Sequence, residues 1–200
     1  WCPRLREGVP ESRARQTGTK ILLAHELRTE AVRILIPAVT AHTQQRLVSF
    51  KAALLAGIAR SYGGDPDHLA VVTASMPDPE SADPSVRRNF LVLYDTLPGG
   101  TGYLHRLAEG PDKLREVLSR ARQLIEQCVC VQQGRPACHR CLLRHVADSE
   151  YEHVSREQAL DILGELFGSD GRQWSVEEVG TTAEISLAPQ LESELEALFR

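Results

Sequence analysis

The sequence lacks the features of several large protein classes. No apolar run approaches the roughly 18 residues that a membrane-spanning helix needs. The first residues also lack a basic start followed by an apolar segment, the pattern typical of export signals. Basic residues do not outnumber acidic ones, since the net charge is −4. A chain-wide positive field for nucleic acid is therefore excluded, and any such binding must come from a local patch.

Several catalytic motifs are missing as well. The chain contains no G-x-S-x-G nucleophile elbow. His25-Glu26 is not followed by the second histidine of the H-E-x-x-H zinc-protease motif. No lysine follows the glycines at 99–102, so that stretch is not a phosphate-binding P-loop. These absences argue against serine hydrolases, zinc proteases of that type and P-loop NTPases.

Cysteine is scarce and unevenly placed, which argues against a disulfide-rich secreted scaffold. Of the five cysteines, four lie in Cys128-Val-Cys130 and Cys138-His-Arg-Cys141. Two closely spaced thiolate pairs are typical of a structural Zn²⁺ site, with a pair of disulfides or free thiols as the alternatives. Cys2 is either a remnant of another metal site or an unpaired thiol. Together with the missing export signal, the cluster predicts a reducing, cytoplasmic setting.

The composition is that of a soluble globular chain, 42% hydrophobic and 25% charged. We expect a linker or disordered arm at 1–19, one domain at 20–170 that includes the knuckle 128–141, and an extension at 171–200 with a short helix. Because the chain begins at Trp1 without an initiator methionine, we expect it to be part of a longer polypeptide.

Hydrophobic periodicity predicts an α/β fold with a mixed β-sheet flanked by helices. Residues 90–94 are apolar at every position, which predicts a central strand covered on both faces. Ser155-Arg-Glu-Gln158 has the pattern of a capping box that opens a helix. Strands are predicted near 20–36, 69–74 and 89–95, with helices near 42–61 and 111–127 and after Ser155.

The stretch Asp95-Thr-Leu-Pro-Gly-Gly-Thr-Gly102 joins the predicted central strand to a helix. Backbone N–H groups at Gly99, Gly100 and Gly102 are candidates to hold an anion such as a nucleic-acid phosphate. A tight strand-to-helix turn is the alternative, and spacing alone favours it.

Two further groups of residues are candidates for function. His25, Glu30 and Asp95 at strand ends are candidates to hold a hard metal or perform acid–base catalysis, as in a nuclease or phosphodiesterase; the alternative is that they fasten loops. Arg135, Arg140 and Arg144 surround the cysteines and are candidates to contact phosphate, with ordinary solvated charge as the alternative.

The order of these motifs resembles a known accessory domain. Asp95–Gly102, a long helix, and then Cys-x-Cys and Cys-x-x-Cys resemble the C-terminal zinc-binding domain of MrfA-type DEAD/DEAH-box helicases, which also occurs in DrmB of the DISARM phage-defence system. His25-Glu26-Leu27-x-Thr29-Glu30 resembles the family's upstream His…Thr-Asp motif, although Glu30 stands where the family has Asp. The second cysteine pair also departs from the family's Gly-Cys-Pro-x-Cys, because Gly134 and Pro136 precede Cys138.

The resemblance implies one structural Zn²⁺ held by Cys128, Cys130, Cys138 and Cys141. It also implies a non-catalytic module of an ATP-dependent helicase, in DNA repair or phage defence. The implied partners are DNA, single-stranded or being unwound, and a helicase core in cis or in trans. A pure protein-interaction module is a further alternative. Neither the helicase module nor the interaction module is expected to involve a membrane.

Overall fold

The structure, a computed structural model, describes residues 27–35, 43–64, 66–78, 81–83 and 85–167. Within these ranges no helix is both long and apolar enough to span a membrane. The elements are, in order, β1 (Ala31–Leu35), α1 (Gln44–Tyr62), β2 (Leu69–Pro77), β3 (Arg87–Asp95), α2 (Tyr103–Ala108), α3 (Pro111–Glu126) and α4 (Arg156–Phe167). Helices α3 and α4 are joined by short 3-10 turns at Val129–Val131, Leu143–His145 and Asp148–His153.

The three described strands form one sheet in the order β1-β3-β2, and both pairings are antiparallel. The predicted α/β class is confirmed, but the predicted mixed sheet is wrong for the described strands. Residues 78–86 connect β2 to β3, and so short a connection makes a hairpin, because a parallel crossover needs a dozen residues or more.

The central position of β3 is confirmed. Its residues 90–93 are all buried, so both faces of the strand are covered. Strand β2 continues to Pro77, beyond the predicted end at Ala74, because it pairs with β3 along its whole length. The predicted strand residues before position 27 and the predicted extension at 171–200 lie outside the described residues.

Helices α1 and α3 pack unusually close together at Gly57. A Cβ atom placed on Gly57 would lie 2.4 Å from the carbonyl oxygen of Val117 and 3.0 Å from the Cβ of Ala121. The contact with the Val117 oxygen is too short for real atoms and the contact with Ala121 is very tight, so a hydrogen at this position is what lets the two backbones approach. The sequence thereby determines how closely α3 lies on α1.

Helix α4 begins at the predicted cap, but only half of the predicted capping box is present. The Ser155 hydroxyl accepts a hydrogen bond from the backbone N–H of Gln158 at 3.4 Å. The backbone N–H of Ser155 donates instead to the hydroxyl of Ser49 on α1, at 2.9 Å. A tertiary contact therefore replaces the local partner that the pattern predicts.

One hydrophobic core joins the helices to the cysteine segment. Cys130 and Cys141 are almost completely buried, at 1% and 0% exposure, within the same cluster of apolar residues. The other fully buried large side chains include Leu54, Leu91, Leu118, Ile125, Leu142 and Leu163. The cysteine segment is thus part of the domain's core.

Candidate metal centre and the Asp95 loop

The four clustered cysteines follow directly from the end of α3. Cys128 caps the 3-10 turn Val129–Val131, which carries Cys130. Gly134 has a φ of +63°, a conformation that favours glycine, and here the chain reverses toward Cys138. The local structure therefore brings both Cys-x-Cys and Cys-x-x-Cys to one place.

Their sulfur atoms form a compact group, all within 4.8 Å of one another. The Sγ–Sγ distances are 3.5 Å for Cys128–Cys138, 3.7 Å for Cys130–Cys141 and 3.7 Å for Cys138–Cys141. A tetrahedron with Zn–S bonds of about 2.3 Å has edges of about 3.8 Å. The donor set and its spacing therefore fit one Zn²⁺.

The alternative of two disulfides is wrong for these cysteines. All four are free thiols in the structure. A disulfide requires the two sulfurs to lie about 2.0 Å apart, well below the distances found.

The thiols differ in how readily they lose a proton. Burial favours the protonated form of Cys138, but the backbone N–H of Arg140 and the neighbouring thiols outweigh it and lower the pKa of Cys138 to about 7. Burial raises the pKa of Cys141 and, less strongly, that of Cys128. Four clustered thiolates, three of them buried, repel one another, so a divalent cation at their centre stabilises the charged form of all four.

Such a centre is suited to a structural role. Four thiolates complete the tetrahedral shell of zinc and leave no open position for a water or a substrate. His139 and His145 are not needed as ligands, since the sulfur group is complete without them. His139 stacks edge-on against Tyr151, with ring centroids 5.6 Å apart.

The predicted phosphate-contacting arginines lie on the surface of the cysteine segment. Arg135, Arg140 and Arg144 are all exposed. Acidic side chains also lie nearby in sequence, because the 3-10 turn Asp148–His153 carries Asp148, Glu150 and Glu152. Phosphate contact by the arginines remains a prediction.

Asp95 is a buried carboxylate that organises the loop after β3. Its side chain is 0% exposed. Oδ1 accepts a hydrogen bond from the backbone N–H of Leu97 at 2.8 Å, and Oδ2 accepts from the N–H and hydroxyl of Thr101. Burial opposes its ionisation, but these hydrogen bonds, led by that of the Thr101 hydroxyl, and the nearby charge of His68 hold the pKa of Asp95 below its usual value.

Glu30, directly before the neighbouring strand β1, fastens the same loop. Its Oε2 accepts a hydrogen bond from the backbone N–H of Gly102 at 3.1 Å. A Cβ atom on Gly100 would lie only 2.5 Å from the Cγ atom of Glu30, so the side chain of Glu30 takes the space that a larger residue would need. The structure therefore brings Glu30 and Asp95 to one loop, and both carboxylates bind backbone amides there.

The loop's backbone N–H groups are already engaged. Gly99 donates to the carbonyl of Arg28, Gly100 to that of Leu97, and Gly102 to Glu30. These contacts favour the tight-turn interpretation over an anion site, and binding of nucleic acid by Gly99, Gly100 and Gly102 stays a prediction. His25 lies outside the described residues, so the predicted catalytic group of His25, Glu30 and Asp95 is only partly placed.

The sequence reasoning overlooked Arg156 at the metal centre. One of its guanidinium nitrogens lies 3.5 Å from the sulfur of Cys130. The available signal was a basic residue directly after the Ser155 cap, on the helix that follows the cysteines. No spacing rule connects that position with a sulfur 26 residues earlier.

Comparison with known proteins gives two likenesses. Residues 50–142 match the family model of the MrfA Zn-binding domain. A crystal structure of the helicase MrfA bound to DNA is similar over 72% of this chain and 18% of that chain, with 21% identity and a TM-score of 0.47. The chain therefore spans under a fifth of that helicase. No curated protein sequence matches the chain.

Proposed function

We propose that the chain, whose residues 50–142 match the family model of the MrfA Zn-binding domain, is a non-catalytic accessory module of an ATP-dependent DNA helicase. Its zinc is structural. The module holds DNA, single-stranded or being unwound, or docks the helicase core in cis or in trans. The proposed setting is DNA repair or phage defence in the cytoplasm.

The closed sulfur site is the observation that carries this proposal. A zinc ion held by four thiolates offers no position for a reacting water, so its contribution is to the shape of the segment around it. That segment exposes Arg135, Arg140 and Arg144 on a backbone packed into the core through Cys130 and Cys141. Cations on a rigid support suit phosphate contact, which positions a protein on nucleic acid without reading the sequence.

The Asp95 loop supports a non-catalytic role. Its two carboxylates bind backbone N–H groups of their own chain at 2.8–3.1 Å, so they fasten the loop in the described structure. A nuclease would need such groups directed at a metal or at the scissile phosphate. The described contacts therefore favour the accessory function over the nuclease alternative.

Salt-dependent DNA binding by the zinc-loaded chain tests the proposal. We expect affinity for a single-stranded oligonucleotide to fall with salt, and the double variant Arg135→Ala/Arg140→Ala to bind more weakly with a slope reduced by about 1.4. The matched control is Arg60→Ala/Arg115→Ala, which removes the same charge from exposed positions on α1 and α3.

Other results would contradict the proposal or support a different function. Binding that is equally weakened by both double variants would indicate a diffuse charge effect and contradict a specific surface. No DNA binding, together with capture of a helicase core, would support a protein-interaction module. Cleavage of the oligonucleotide with Mg²⁺ or Mn²⁺ that is lost in Asp95→Asn would support the nuclease alternative.

A further inference from the structure

The first turn of α4 is attached to the cysteine segment by three hydrogen bonds from Arg156. Its backbone N–H donates to the carbonyl of Pro136 at 2.7 Å. Its guanidinium Nη1 donates to the carbonyl of Arg135 at 2.9 Å and lies 3.5 Å from the sulfur of Cys130. A single residue therefore contacts both the backbone and a sulfur of the metal centre.

Arg156 is itself held in place by the packing of α4 on α1. The Ser49 hydroxyl on α1 accepts from the backbone N–H of Ser155 at 2.9 Å and donates to the carbonyl of His153 at 3.4 Å. The Ser155 hydroxyl in turn caps α4 through Gln158. The guanidinium is thus presented to Cys130 from a backbone that is anchored on two sides.

The chemistry of the sulfur site calls for such a donor. A zinc ion with four thiolates carries a formal charge of about −2, and hydrogen bonds from neighbouring groups stabilise that charge and orient the ligands. Cys130 is only 1% exposed, so water gives its sulfur little stabilisation. In such surroundings a hydrogen bond from a charged donor is strong.

We infer that Arg156 is a positioning residue of the zinc site, which acts on the metal through Cys130. It orients the Cys130 thiolate and offsets part of the negative charge of the site. Arg156 lies beyond residues 50–142, the part that matches the MrfA Zn-binding domain. The zinc site of this chain therefore depends on a helix outside the matched region, and this inference does not depend on DNA binding.

Competition with a chromophoric chelator measures the effect on the metal. We expect Arg156→Ala to weaken zinc affinity by about 10-fold or more, the size usual for the loss of a group that hydrogen-bonds a ligand. Arg156→Lys, which keeps the charge but not the planar fork, should recover part of that loss. Arg135→Ala is the matched control, because the contact at 135 uses the carbonyl oxygen, which this substitution keeps.

Cobalt substitution separates positioning from folding. The sulfur-to-metal charge-transfer bands of the Co²⁺ form report the electron density on the thiolates, and we expect them to shift in Arg156→Ala. Ser155→Ala, which loosens the same helix end without removing the donor to sulfur, should lower the melting temperature and leave these bands unchanged. If Arg156→Ala does not fold, the charge-transfer bands are measured on the Arg156→Lys chain instead.

Two results would overturn the inference. One is an Arg156→Ala chain whose zinc affinity and cobalt spectrum equal those of Arg135→Ala. The other is a loss of thermal stability in Arg156→Ala with an unchanged cobalt spectrum, since this would show that the residue only holds α4 in place.

Discussion

The Asp95 loop and the cysteine segment are both irregular, yet each is held in a different way. The loop after β3 is fastened by Asp95 and Glu30, which accept hydrogen bonds from Leu97, Thr101 and Gly102. The cysteine segment relies on four thiols whose mutual repulsion as thiolates requires a metal ion. The comparison shows that one region is completed by the chain itself and the other by zinc.

Loss of zinc should produce the largest effect and should act on one region only. We expect Cys141→Ser to lower the free energy of local unfolding of the cysteine segment by more than about 4 kcal/mol, because metal-binding energy in small zinc sites is folding energy. Elemental analysis should show reduced zinc, and hydrogen exchange should rise across 128–153 while Leu97 and Thr101 stay protected. Cys2→Ser is the matched thiol control, and equal exchange in both regions would contradict the separation.

Removal of the Asp95 charge should break the other region. We expect Asp95→Asn to cost about 2–4 kcal/mol, because it replaces a buried carboxylate that accepts three hydrogen bonds with an amide that accepts fewer. Chemical denaturation measures this cost, and zinc content should remain at the wild-type level. Asp112→Asn is the control, since that side chain is 90% exposed; a similar cost at both positions would contradict the assigned role.

A methyl group at Gly57 should disturb both regions, because α3 lies between them. Ala normally stabilises a helix relative to Gly by about 1 kcal/mol. At Gly57 the new Cβ would meet the carbonyl oxygen of Val117 at 2.4 Å, so we expect Gly57→Ala to destabilise the protein by about 1–3 kcal/mol.

Gly164 on α4 is the matched control for this experiment. A Cβ there meets no atom within 4 Å, so Gly164→Ala should stabilise the protein by about 0.5–1 kcal/mol. Thermal denaturation of both variants gives the comparison. Stabilisation by Gly57→Ala would show that the two helices lie further apart than described.

Acid should affect the two regions at different pH values. Because the folded pKa of Asp95 is lowered, its carboxylate stabilises the fold above its unfolded pKa of about 3.9. That stabilisation is lost progressively as the pH falls below the unfolded pKa and through the lower, folded pKa. Protons compete with zinc for thiolates, so metal release should precede this loss. Amide NMR of Thr101 and a zinc indicator, followed from pH 7 to pH 2, measure both events; simultaneous loss would contradict the order.

Sequence patterns predicted the features that depend on local spacing. The four cysteines, the helix that leads to them and the cap at Ser155 all follow from residues close together in the chain. The α/β class and the central place of β3 follow from hydrophobic periodicity. The antiparallel sheet was missed, because strand direction depends on how the chain connects the strands in space.

The role of the charged residues was the least predictable part. Glu30 and Asp95 were candidates for catalysis with loop fastening as the alternative, because spacing does not show which atoms they contact. Arg156 gave no signal of its own, since its partner sulfur at Cys130 lies in a separate element. Such contacts depend on side-chain directions that only a packed structure supplies.

By itself the sequence determined the ligands: four thiols spaced for one tetrahedral ion, on a segment directly after an amphipathic helix. Tertiary structure decided how the rest of the chain serves them. The contact of α1 with α3 at Gly57 sets the position of the helix before the cysteines, and α4 brings Arg156 to Cys130. The reason is physical: ligand chemistry depends on residue type and local spacing, whereas charge compensation and close packing depend on residues that meet only when the chain folds.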